Sequence, residues 1–183
     1  MAATQISYTK SMEIPPQATA PSRNKQTEQI KLAFVFGLIF AVSYLFFRMS
    51  ESSTLQELLR WYTGIFLLTF ASIKLIDYKK FVMMFSVYDV IAKRFKLYAY
   101  AYPFIFLALA GLYFTDMLPI FRNFTALFVA LIAGIAMFQD VFLHKNQFSC
   151  GILGNIIRLP FTTVSLIEDA VLVGLTTTAL VLL

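Results

Sequence analysis

Five stretches of the chain are apolar for sixteen to twenty residues with almost no charge, and the polar positions gather between them. A bilayer core about 30 Å thick is crossed by roughly 20 apolar residues in a helix, so each block approaches or reaches a spanning length. The pattern predicts spans over Leu32 to Phe47, from Thr54 through Trp61 to about Ile76, over Leu97 to Phe114, over Phe124 to Leu143 and over Val164 to Leu183. Residues 1–31 are polar, contain Pro15, Pro16 and Pro21, and lack a periodicity that would bury a face, so they read as a mobile cytoplasmic tail. The first block follows that long polar tail, and Arg48 comes directly after it without a clear small-x-small cleavage site, which makes it an N-terminal anchor rather than a signal peptide.

Local signals refine the boundaries. Thr54-Leu-Gln-Glu57 has the spacing of a capping box that opens the second span, and Ser165-Leu-Ile-Glu168 repeats it near the fifth. Between the second and third spans, Phe81, Met84, Phe85, Tyr88, Ile91 and Phe95 recur at helical spacing, with Lys79, Lys80, Asp89, Lys93 and Arg94 mostly opposite. That amphipathic pattern predicts one helix over about 77–96 lying in the membrane interface. Pro103 falls near the start of the third span, Asp116 to Arg122 with Pro119 reads as a turn, and Ala130 with Gly134 permits close helix approach in the fourth. The fold class is therefore all-α and integral to the membrane, with a four-helix domain over 54–183 behind an added first helix.

Composition sharpens this picture. The chain is 59% hydrophobic and only 14% charged, which excludes a soluble enzyme fold. Twelve of its fifteen Lys and Arg fall in the tail, in the segment after the second span and in the loop after the fourth; only Arg48, Arg60 and Arg122 fall opposite. The positive-inside rule then predicts a cytoplasmic N-terminus and a periplasmic C-terminus. Juxtamembrane cations beside anionic lipid account for the +5 net charge, so it is no signal for nucleic acid.

This topology brings Lys74, Asp77, Asp140, His144, Cys150, Glu168 and Asp169 to one membrane face. Ionisable groups in spans require partners, and Lys74 with Glu168 or Asp169 is the expected pair. Lys74 snorkelling and Glu168 closing a capping box is the competing reading. Cys150, beside Lys145 and Arg158, is a candidate thiol for exchange with another chain, or an inert loop residue. One cysteine and one histidine rule out an internal disulfide and a Cys/His zinc site. His144 reads as an interface residue, Tyr98, Tyr100 and Tyr102 as an interfacial aromatic belt, and Asn123-Phe-Thr125 as a glycosylation sequon on the outer side. No cofactor or metal is implied.

Several runs together resemble the MauE/DoxX group of bacterial redox-associated membrane proteins. They are Lys74-Leu-Ile-Asp77, Phe81, Tyr88-Asp89-Val-Ile-Ala-Lys93-Arg94, Tyr98-Ala-Tyr-Ala-Tyr-Pro-Phe104 and Leu159-Pro-Phe-Thr-Thr-Val-Ser-Leu-Ile-Glu168-Asp169. Tyr102, Pro103, Gly154 and Pro160 belong to the same pattern. The resemblance implies a compact four-helix membrane bundle, DoxX-like, in an inner-membrane system for redox maturation. It also exposes departures. Where relatives commonly carry Cys-Ala-Cys-Leu-Gly, this chain has Cys150-Gly-Ile-Leu-Gly154, and where they tend to carry a Glu after Tyr-Pro-Phe it has Phe106. The glutaredoxin-like or metal-binding domain of the related branch is replaced by a short tail. These differences imply an accessory member without a complete active site of its own, working on the lipid bilayer with another membrane or redox protein. The alternatives are a single-cysteine thiol carrier and a structural subunit of a larger complex or oligomer.

Overall fold

A computed structural model describes residues 25–50, 54–143 and 161–183, and every element among them is helical. Seven helices follow in chain order: α1 (Lys25–Met49), α2 (Leu55–Ile76), α3 (Tyr78–Tyr88), α4 (Val90–Arg94), α5 (Lys96–Phe114), α6 (Pro119–Leu143) and α7 (Phe161–Val181). Five of them, α1, α2, α5, α6 and α7, are long and apolar enough to cross a membrane. The chain is a multi-pass membrane protein.

Four of these helices form a closed bundle in which α2 packs against α5, α6 against α7, and the two pairs join through α2 with α7 and α5 with α6. The fifth, α1, rests chiefly on α2, through Phe36, whose ring lies 5.9 Å from that of Phe66 and 6.1 Å from that of Phe70, with Ile39 and Ser43 of α1 also buried. In lipid the apolar effect does not drive helices together, so dispersion and small-residue contacts must hold them. The α6–α7 contact has that character: Ala126, Ala130, Ala133 and Ala136 of α6 are buried, and the Cβ of Asp169 approaches Gly134. The α2–α5 contact is tighter still, because a Cβ added at Gly64 would meet Tyr113 Cβ at 3.1 Å and the Phe114 ring at 3.0 Å. Elsewhere the bundle is looser, with an apolar groove of about 420 Å³ between α1, α2 and α7, lined by Phe40, Leu59, Tyr62, Val171 and Gly174 among others.

Four boundaries differ from the sequence reading, each for a local reason. The first helix begins at Lys25, inside the segment read as tail, because Lys, Gln and Glu favour helix even where no apolar face guides them. The fourth span begins at Pro119, since proline suits the first helical turn, and the true turn is Thr115 to Leu118, where Asp116 and Leu118 have φ of 53° and 50°. The expected interfacial helix is broken into α3 and α4 at Asp89, whose extended backbone and side chain start a new helix. Finally, α7 begins at Phe161, so Ser165 lies inside it and the second capping box does not exist. The capping box of α2 is half formed: Thr54 Oγ1 accepts from the Glu57 amide at 3.3 Å, while the Glu57 carboxylate turns to Arg60 and Trp61.

Candidate functional site

The last turn of α2 carries Lys74 into the bundle, where α5 and α7 converge on it. Its ammonium donates to Glu168 Oε1, and both residues are buried, 5% and 3% exposed. Three aromatic faces close around the ammonium: Phe106 with its centroid at 4.6 Å, Phe70 at 5.4 Å and Tyr102 at 5.8 Å. The tyrosine is held by tilted ring contacts, with Phe85 of α3 at 4.5 Å and Phe106 at 4.9 Å. Such rings stabilise a desolvated cation by about 2 kcal/mol or more each at best, but a buried charge still needs an opposite charge, and Glu168 supplies it.

Two further carboxyls share this end of the bundle. Asp169 is 3% exposed and lies in electrostatic range of Glu168, Lys74 and Asp89. Asp89 is 1% exposed; its Oδ1 accepts from the Ile91 amide at 2.9 Å and the Ala92 amide at 2.7 Å, capping α4, while its Oδ2 is buried with no partner among the described residues. Burial pushes the Asp89 carboxyl above the usual carboxylate range, against the pull of the two amides and of Lys93. Among the described residues, one buried cation, Lys74, thus stands beside three buried carboxyls at this end.

The structure sorts the other candidates. Asp77 does not enter the cluster: it is half-buried at the α2–α3 junction and sits 3.8 Å from Lys80. Lys93 and Arg94 are exposed on α4. Pro103 lies in the interior of α5 rather than its first turn, and Tyr78 Oη donates at 2.9 Å to the Tyr100 carbonyl nearby. Asp89 is not on a solvated polar face, and Tyr102 is core rather than an interfacial belt, because ring contacts and the Lys74 cation draw it inward. Asp140 lies on α6 and Tyr88 ends α3, but their side chains fall outside the described residues, as do His144, Cys150, Gly154 and Pro160 altogether.

A second polar cluster, at the opposite end, was not anticipated. Arg60 Nη1 donates to the carbonyls of Tyr113 and Phe114 at 3.0 and 3.3 Å, satisfying the end of α5, while Glu57 grips the same guanidinium and accepts from Trp61 Nε1 at 2.9 Å. Arg122 Nη1 reaches Asp116 at 2.7 Å, and its guanidinium lies 4.9 Å from the Tyr113 ring centroid. Asn123 is 2% exposed and accepts a hydrogen bond from Tyr113 Oη, so the sequon is internal structure and not a glycan acceptor. The spacing of Glu57 and Arg60 at i,i+3 was visible in the sequence; their reach to α5 was not.

A lipid-spanning four-helix bundle with a charged pair sealed inside defines a class of helical membrane protein. The family model described as "Methylamine utilisation protein MauE" matches residues 52–183, the whole bundle without α1, and the chain belongs to that family. No curated protein and no solved structure matches the chain.

Proposed function

We propose that this MauE-type membrane protein acts as an accessory member of a maturation or redox-associated system in the inner membrane, without a complete catalytic site. The observation that carries this reading is the use made of the charges within the bundle: Lys74 is consumed by Glu168, and Arg60 by Glu57 and two helix-terminal carbonyls, so these groups hold helices together. The single Cys150 supports it further, since a relay within one chain needs two thiols. The twelve-to-three distribution of Lys and Arg supports a cytoplasmic N-terminus and a periplasmic C-terminus.

The test is alkylation trapping in cells followed by Cys150→Ser. The accessory reading expects full function in the variant and no mixed disulfide in the native protein. A mixed disulfide that disappears with Cys150→Ser, together with loss of function, would establish the single-cysteine carrier instead. A second reading, a subunit of a larger membrane complex, is favoured by α1, which is largely uncovered and exposes Ala33, Gly37 and Ala41 along one stripe. Purification in mild detergent separates it, because a clean monomer would rule out a stable complex.

A further inference from the structure

We propose that the buried carboxyls Asp89 and Asp169 form a proton-binding site at the Lys74 end of the bundle, which holds one exchangeable proton at neutral pH. Among the described residues the buried charges at this end do not balance. Glu168 takes the only buried ammonium among the described residues, leaving Asp89 and Asp169 as two carboxyls in one dehydrated neighbourhood. Two carboxylates sharing such a site do not both ionise, because their repulsion adds to the cost of desolvating each.

The groups facing Asp89 are Lys93 on α4, Tyr98 and Tyr102 on α5, and Asp169 on α7, while Lys74 of α2 and Glu168 of α7 face Asp169. Of these only Lys93 and Lys74 are cations; Lys93 is exposed and Lys74 is paired. On α6 the side chain of Asp140 lies outside the described residues.

The independent sign is Asp89 Oδ2. Oδ1 takes both cap amides, and the second oxygen is sealed in with no donor among the described residues, where a proton removes a charge that the amides and exposed Lys93 offset only in part. A proton also fits the surroundings better than a metal ion. No group of three His, Cys, Asp or Glu among the described residues is arranged to hold one, whereas a proton needs no coordination shell. The flanking rings of Phe85, Tyr98 and Tyr102 pack with centroids 4.5 to 5.9 Å apart, which suits an occupant that needs no volume.

The site is tested by infrared difference spectroscopy of the full chain in lipid across a pH titration. The native protein should keep the carbonyl stretch of a protonated carboxylic acid at neutral pH, sensitive to hydrogen–deuterium exchange and lost on alkaline titration. Asp89→Asn preserves the helix cap, since Asn caps as well as Asp, and should abolish or shift that band, as should Asp169→Asn. Absence of the band in the native protein, or its persistence unchanged in both variants, overturns the proposal. The thermal midpoint gives a second readout. A carboxyl whose folded form prefers the proton contributes stability below about pH 4, its unfolded value, and loses it as the pH rises toward the folded value. The native midpoint should therefore fall across that window, and Asp89→Asn should flatten the fall; an unchanged slope counts against the site. Both readouts are independent of the fate of Cys150.

Discussion

Replacing Lys74 by Met should be the most damaging conservative change in the bundle. The side chain keeps its length and apolar stem but loses the ammonium, so Glu168, 3% exposed and without Lys74, is left as an uncompensated acid between helices. Breaking one half of a buried ion pair costs about 3–5 kcal/mol, whereas removing both halves together is often close to neutral. On the thermal scale of a chain of this size, a loss of about 3 kcal/mol lowers the midpoint by roughly 6–12 °C. The double-mutant cycle isolates the pair: Lys74→Met, Glu168→Gln and the combination are compared by denaturation in mixed detergent, followed by helical circular dichroism. Ordinary hydrogen bonds between membrane helices couple by about 0.6 kcal/mol and reach about 1.7 at most. The sealed charge pair should exceed that ceiling, at about 2 kcal/mol or more. A coupling of about 0.5 kcal/mol or less would refute the claim that the pair fastens α2 to α7.

Two further outcomes probe packing and the opposite end. Gly64→Ala should destabilise by about 1–3 kcal/mol, because Tyr113 Cβ cannot move without α5, whereas Gly174→Ala, facing open space in the groove, should gain up to about 1 kcal/mol of helix propensity; paired denaturation curves decide it. Glu57→Ala should free Arg60 and Trp61 together at a cost of about 1–3 kcal/mol, and the only tryptophan in the chain reports it through greater quenching by aqueous iodide; unchanged quenching would show that the clamp is dispensable.

The spans were legible because twenty apolar residues without charge have few other uses, and the bundle follows once four of them must find neighbours. Lys74 and Glu168 were legible as a concern, since a membrane charge demands a partner, although the sequence offered Asp169 equally well and the helix start at Phe161 was needed to place Ser165 and Glu168 correctly. Asp89 was misread for a physical reason. An acid among Lys79, Lys80, Lys93 and Arg94 fits the polar face of an amphipathic helix, and nothing in that spacing says the helix breaks there and turns the carboxyl inward. The Arg60 clamp was hidden because its acceptors are backbone carbonyls of Tyr113 and Phe114, some fifty residues away, and carbonyls leave no trace in side-chain pattern. Asn123 was misplaced likewise: a sequon is read locally, while its burial depends on Tyr113.

Phe106 joins these observations. Its ring stands 4.6 Å from the Lys74 ammonium, fully buried. An acid there would give Lys74 a competing partner and bring a fourth carboxyl to a site already short of positive charge. A phenyl ring instead meets the ammonium through its π face and adds no negative charge, so Glu168 remains the one acid that Lys74 must neutralise. Phe106 thus leaves a closed structural pair, with the unpaired buried acid at this end, among the described residues, in Asp89 and Asp169. The ring at position 106 therefore packs against the cation it faces without adding a charge for that cation to answer.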